Sequence, residues 1–456
     1  MSPVTLVGHN LAMLVAATEL VRQGVAVRLC TDGKALGAHF AGLVAQGHVF
    51  DIGMVMLEKC GHPQPSDALS TYRPEIRNDW TRFGHLAAAW LERQAPLVRV
   101  PTPECHVQGR TGPDYLIANR LDMLSGLRVG QQLVPPPPNL SPDDPRHPRH
   151  KVSSPAYDTL SYQEAAALCH GDAFHALAIE PFVRKLLGQG SDRFLARYHR
   201  AAWAPLFYPE TLRAALHGDA TGLAEYPFWM PASGCVGDIV SRLRADLLAH
   251  PLLSLQAEAL TSLTPEGQRP QALGLPAERC SALLQAADAV PARAPAPAPP
   301  PAASVSVAFC LVPEEAITRS TGCLMVVDEA YAAYRLTDQD HLAGRAAPLH
   351  RVTIEAGPDR LAAQHPGATP AQALSLELSR LLGVDNPADV QVAQCITARH
   401  ALAWPSTEAI QAGQQTYRCL SEALPGVALT GTLLGYGVAS FNDQIVQGLK
   451  LAEEFA

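Results

Sequence analysis

The chain begins with a segment that leaves few choices of fold. Val4-Thr-Leu-Val7 reads as a short buried strand, Gly8 as a tight turn, and residues 11–22 as a helix. Gly24 closes that helix, and Val25, Val27 and Leu29 alternate as a second strand. Strand, crossing helix and strand make a βαβ unit, which sets the two strands parallel and requires helices packed on their sheet. A turn of this kind approaches a dinucleotide's diphosphate when glycine stands at three places: the turn itself, the point nearest phosphate, and the helix–strand contact. Those places hold Gly8, Asn10 and Met13. The architecture is legible here, and the ligand is not.

Length and composition frame that unit. A chain of 456 residues predicts two domains. At 47% hydrophobic and 17% charged, it suits packed cores rather than disorder. A net charge of -8 offers no basic field, so nucleic acid is not an expected partner. No apolar stretch approaches the roughly 18 to 20 residues that span a bilayer, and the start lacks the basic segment and cleavage site of a signal peptide. Ten cysteines are dispersed without any Cys-x-x-Cys spacing, which predicts buried thiols in a reducing cytoplasm. The loops for nucleoside triphosphates, His-Glu-x-x-His zinc helices and Gly-x-Ser-x-Gly elbows are missing as well.

Two proline-rich stretches, 134–150 and 291–301, read as exposed loops, because proline has no amide donor and a fixed φ. His147 and His150 in the first make poor metal ligands, with no acidic or thiol partner in register; no metal is expected. Helical spacing dominates between the stretches, over 162–168, 174–187, 210–216 and 236–248, followed by a strand and turn over 253–263. After the second stretch the period becomes two, at Val305, Val307 and Phe309, over 323–327 and over 351–355, which predicts a second sheet. The tail returns to a strand over 427–434, a glycine turn, and a helix from about Asp443.

Four separated segments fall in a suggestive order. The first is the βαβ unit, with Leu14, Ala17, Leu20 and Gly24 along it. The second is Leu36-Gly-Ala-His-Phe40, followed by Phe50-Asp-Ile-Gly-Met54. The third is Met230-Pro-Ala-Ser-Gly-Cys235, which opens a helix that leads to a strand ending around 258–260. The fourth is Leu434-Gly-Tyr-Gly-Val-Ala-Ser-Phe-Asn-Asp-Gln-Ile445. Together they resemble the FAD-dependent superfamily of amine oxidases, protoporphyrinogen oxidases and phytoene desaturases. The resemblance implies an α/β fold in which a Rossmann-like FAD-binding domain with a parallel sheet is interleaved with a mixed α+β substrate domain. It assigns 1–60, 225–290 and 422–456 to the first domain, and 61–224 and 291–421 to the second.

By the same resemblance FAD would meet Gly8, Asn10, Leu11 and Ala12 at the turn, and Thr31 and Asp32 after the second strand. Gly37, Ala38, His39 and Gly53 would lie along the flavin, and Leu260 against the adenine. Gly435, Gly437, Asn442 and Asp443 would form the C-terminal flavin turn. The departures collect at one end. Asn10 puts a side chain where backbone should meet phosphate, although it tolerates the left-handed conformation. Met13 crowds the helix–strand contact, and Thr31 stands in place of a ribose-binding Glu, with Asp32 as a shifted substitute. The C-terminal segment keeps its glycines and a capping-box spacing, Ser440 to Asp443, ahead of Ile445, Val446 and Leu449. A helix starting there would turn its amides and dipole toward a flavin ring. A retained FAD and a lost FAD both stay open.

For a substrate, aromatic density is the clue. Trp203, Phe207, Tyr208, Tyr226, Phe228 and Trp229 fall close together in a chain that is 6% aromatic. They form either the wall of an apolar pocket or an inter-domain core. Tyr334-Arg335 offers a cation to an anionic substrate group, or is an exposed strand end. His39 faces either flavin or solvent. The pocket candidates are therefore His39, Trp203, Tyr208, Trp229, Tyr334 and Arg335, and no catalytic residue is identified. The implied function is oxidation of a small organic molecule by hydride transfer to flavin N5. The alternatives are a degenerate member without FAD that serves as a binding or scaffold partner, and a flavin protein doing non-redox chemistry. A homodimer or a partner enzyme is compatible with each.

Overall fold

The computed structural model describes residues 2–58, 80–117, 128–129, 132–133, 139–151, 153–216, 228–286, 302–404, 406–435 and 438–456. Its first sheet has five parallel strands, in the order Leu253–Gln256, Val27–Cys30, Val4–Gly8, Ala272–Gly274, Ala428–Leu429. Helices cover both faces, as a parallel sheet requires. On one face α1 (Leu11–Arg22), α2 (Trp80–Gln94), α3 (Val236–Leu248) and α4 (Phe441–Phe455) enclose Leu6, Leu29 and Ala272. On the other, helices Ala277–Ala286 and Thr407–Ala423 pack over Val7, Cys30 and Leu273. Alternate residues of the first strand feed two cores, Leu6 on one face and Val7 on the other.

α1 and α4 pack tightly at Gly448. A Cβ there would lie 2.6 Å from both the Ala12 carbonyl oxygen and Val15 Cβ, so only glycine lets the two helices touch. This contact brings the start of α4 against the start of α1.

The second sheet has seven strands, in the order Gln391–Ala403, Ala302–Pro313, Leu349–Ala356, Ala333–Asp338, Cys323–Val326, Glu104–Val107, Arg110–Pro113. Its pairs are antiparallel except between Cys323–Val326 and Glu104–Val107. The period of two seen in the sequence sorts residues between two cores. Val307, Phe309 and Leu311 face the helical layer that contains Tyr162 and Phe182, while Ala308, Cys310 and Val312 face helix Pro370–Leu382.

Several expected boundaries shift. The helix over 174–187 is interrupted by a wide π-helical turn, His175–Ile179, ahead of Glu180–Leu187. The strand over 427–434 shortens to Ala428–Leu429, because Thr430 turns both its N–H and its hydroxyl onto the Leu273 carbonyl and a 3₁₀ turn follows. The last helix starts at Phe441, with the Ser440–Asp443 capping box formed. Residues 139–150 run mostly exposed through turns, as expected, but His147 and Pro148 are buried at a short 3₁₀ turn, and His147 Nε2 lies 3.2 Å from Glu210. The stretch 291–301 lies outside the described residues. No described helix is long and apolar enough to cross a membrane.

Candidate functional site

At the N-terminal turn, Gly8 lies against Gly274 of the neighbouring strand, where a Cβ would come within 2.4 Å of backbone. Asn10 has φ -69 and ψ 172, so its tolerance of the left-handed region is not used. It caps α1 instead. Its Oδ1 accepts from Met13 N–H at 3.1 Å, and its Nδ2 donates to Thr430 Oγ1 at 3.0 Å. The space that Asn10 and Met13 need has been opened opposite them. A Cβ on Gly274 would stand 2.7 Å from Asn10 Oδ1 and from Met13 Cγ, and one on Gly431 would stand 2.8 Å from Asn10 Nδ2. Glycine thus stands opposite the two side chains, at the end of the neighbouring strand and in the 3₁₀ turn after the next.

Two glutamines of α4 complete this end. Leu11 N–H donates to Gln444 Oε1 at 2.9 Å, in a buried bond, and Gln444 Nε2 donates to the Ala439 carbonyl at 2.8 Å. Gly431 N–H donates to Gln447 Oε1 at 2.8 Å, and Gln447 Nε2 donates to the Val438 carbonyl at 2.7 Å. The adenosine side is closed in the same manner. Thr31 is buried, and Asp32 accepts from Leu260 N–H at 2.8 Å and from Arg279 Nε and Nη2 at 2.6 and 2.7 Å. Arg279 also donates to the Leu260 carbonyl and holds the Asp32 carboxyl below the usual carboxylate range. Asp32 and Leu260 thus satisfy each other.

The flavin end is built differently. Gly37 donates its N–H to the His9 carbonyl at 2.9 Å, tying the Ala38–His39 loop to the turn. Phe40 then packs on Phe441, with centroids 5.2 Å apart, and brings His39 to the start of α4. The His39 ring is exposed to solvent yet walled by protein, and this desolvation lowers its pKa to about 4. Asn442 Oδ1 is buried without a hydrogen-bond partner among the described residues. Asp443 is buried as well, and burial raises its pKa to about 7 despite its bonds to Ser440. Asp51 accepts the Val236 and Gly237 amides at the start of α3, at 2.9 and 2.8 Å, and so anchors the Asp51–Gly53 element. Gly435 has φ 124, within the range that favours glycine. Gly437, like Tyr436, lies outside the described residues.

Three pocket candidates come together. The Arg335 guanidinium stacks over the Trp203 ring, 4.1 Å from its centroid, and Trp203 and Tyr334 ring centroids are 6.4 Å apart. Trp203 has φ 50, a left-handed conformation rare for a bulky residue and found where surrounding structure enforces it. Arg335 is only 3% exposed, so it is no strand-end surface residue. Nor is it a free cation. Its Nε and Nη2 each donate to Glu355 at 2.8 Å, and the Tyr334 hydroxyl donates to the same carboxylate at 2.8 Å. Arg335 Nη1 is buried without a hydrogen-bond partner among the described residues, and Gly53 passes so close that a Cβ would lie 2.7 Å from Nη2. The other aromatics scatter. Tyr208 is 37% exposed with its ring against His147, Phe207 lies in the helical-layer core, and Trp229 packs against the core of the first sheet. Tyr226 lies outside the described residues.

The sequence reading missed Gln444, Gln447, Thr430, Arg279 and Glu355. One signal was present for Gln444. It shares the buried stripe of Phe441, Gly448 and Leu451, where a polar side chain needs a specific partner.

The fold is shared over the whole chain with solved structures of other proteins. The crystal structure of reduced UDP-galactopyranose mutase superposes with a TM-score of 0.61 at 12% identity, covering 99% of this chain and 95% of that one. A protoporphyrinogen oxidase-like protein from Exiguobacterium sp. 255-15 gives 0.59 at 15% identity, covering 100% and 98%. Putrescine oxidase bound to putrescine gives 0.53 at 12% identity, covering 99% and 98%. No family model and no curated protein sequence matches the chain.

Proposed function

We propose that this chain is a flavin-dependent oxidoreductase acting on a small organic substrate, with the domain division given by its sequence. The observation that carries the reading is the polar group left open at the flavin end. Asn442 Oδ1 is buried without a hydrogen-bond partner among the described residues at the first turn of α4, next to the contact that delivers the His39 loop. A buried acceptor without a donor is costly, and a ligand N–H would satisfy it. The residues at this end therefore fit a flavin ring. At the other end the Leu11 and Gly431 amides already hold carboxamide oxygens, which phosphate oxygens would have to replace.

When bound, flavin supplies the hydride acceptor. The chain's own residues then hold and shape. The Ser440–Asp443 capping box fixes the start of α4, whose dipole favours negative charge nearby. His39 is neutral at pH 7 and contributes a hydrogen bond rather than a charge. Trp203 presents an aromatic wall, and Glu355 neutralises Arg335 behind it, which favours a neutral or apolar substrate over an anionic one. Purified protein should show absorption bands near roughly 370 and 450 nm that are released on denaturation. Trp203→Ala should lower turnover in protein that remains folded. A colourless protein that also takes up no added flavin would overturn the reading.

A further inference from the structure

We propose that Asn10, Gln444 and Gln447 form an internal substitute for the cofactor's diphosphate, and that a dinucleotide enters this chain only by displacing the two glutamines. The proposal rests on the flavin reading for its ligand. Amides at a helix start and at a neighbouring glycine turn are groups that receive phosphate oxygens. Here the Leu11 amide at the start of α1 and the Gly431 amide across from it each end on a glutamine oxygen. Asn10 spans the same gap, with one amide atom on Met13 N–H and the other on Thr430.

The arrangement is built, not incidental. Each glutamine is held from both sides, because its NH₂ group donates to a carbonyl of the segment that leads into α4. Gly448 sets the helix separation that brings Gln444 within reach of Leu11. Gln444 occupies a buried position on the apolar stripe of α4, where its polar end is tolerable only because it is bonded. A neutral carboxamide satisfies these donors without bringing charge into the site. The protein can therefore be ordered here with no ligand. Phosphate would bond the same amides more strongly, through charge assistance, but must first break the glutamine bonds. Ligand binding and glutamine capping are thus mutually exclusive at these two donors. A flavin without a diphosphate does not meet this competition.

The test compares the full-length chain with Gln444→Ala, Gln447→Ala and the double variant, titrated with FAD and with riboflavin by flavin fluorescence. Melting of each ligand-free protein is followed alongside. The double variant should bind FAD at least about tenfold more tightly, bind riboflavin as the unmodified chain does, and melt at lower temperature without ligand. Gln444→Glu, which keeps an acceptor on Leu11 and adds a negative charge, should weaken FAD binding, and it serves if the alanine variants do not fold. FAD affinity that is unchanged or lower in a folded double variant overturns the proposal and leaves the flavin reading standing. Unchanged ligand-free melting overturns the internal-substitute role. No flavin binding by any of the proteins overturns the flavin reading, and the displacement with it.

Discussion

At the N-terminal turn, the N–H groups of Leu11, Met13, Gly431 and Leu260 all end on side-chain oxygens of the chain itself. At the start of α4 and beneath Trp203, by contrast, buried Asn442 Oδ1 and Arg335 Nη1 end on nothing among the described residues. Both regions belong to one fold, and both carry glycine turns and helix starts. They differ in what supplies the complement. The first has side chains of the right length on α4 and beyond the second strand, and the second leaves its polar groups for something else. The missing glycines of the fingerprint are therefore compensated. Asn10 and Met13 could be accommodated only with Gly274 and Gly431 facing them.

The sharpest way to break the comparison is at Glu355, which neutralises Arg335 below Trp203. Glu355→Ala leaves a guanidinium buried without its carboxylate and should cost about 3–5 kcal/mol, read by chemical denaturation. A loss below about 1 kcal/mol would mean that Arg335 finds another partner and that the pocket wall can rearrange. At the closed end a smaller loss is expected. Asp32→Ala removes the acceptor of Leu260 N–H and of Arg279, but Arg279 is partly exposed and can turn to water. The cost should be about 1–2 kcal/mol. If Asp32→Ala proves the more damaging, the closed end is the true keystone of the fold.

How much of this could be read in the sequence divides along the same line. The strand, turn and helix at residues 4–22 and the helix over Val236–Leu248 were legible because their apolar residues follow the geometry of one element. The Ser440–Asp443 capping box was legible because it lies within four residues. The caps at the closed end were not, since Leu11 and Gln444 are 433 positions apart and only the packing of α1 on α4 makes them neighbours. Arg335 misled for a similar reason. Alone it is a cation, and only the pairing of its strand with Leu349–Ala356 shows that Glu355 cancels its charge. The aromatic concentration left a pocket wall and a core both open, and its described residues divide: Phe207 and Trp203 lie at the helical-layer core, Trp229 packs on the core of the first sheet, and Tyr208 is exposed.

The smallest expected effect is a pH dependence at the open end, where two groups titrate in opposite senses. His39 has a folded pKa of about 4 against an ordinary 6.5. Between those values the unfolded chain binds a proton that the folded chain does not, so this contribution is present above pH 6.5 and is lost as pH falls toward 4. Asp443 has a folded pKa of about 7 against 3.8. Across that interval the folded chain keeps a proton that the unfolded chain has released, so stability falls as pH rises. The two slopes partly cancel. The His39 ring is exposed, and water screens its share, whereas Asp443 is buried. The net share of these two groups should follow Asp443 and decline gently from pH 4 to 7, read in urea unfolding as the difference between the unmodified chain and each variant. Relative to the unmodified chain, Asp443→Asn should make the slope of stability with pH more positive, and His39→Gln should make it more negative. An unchanged slope in Asp443→Asn would mean that the carboxyl is ionised in the fold. The start of α4 would then carry a full negative charge, which is the wrong polarity to receive electrons on a ring beside it.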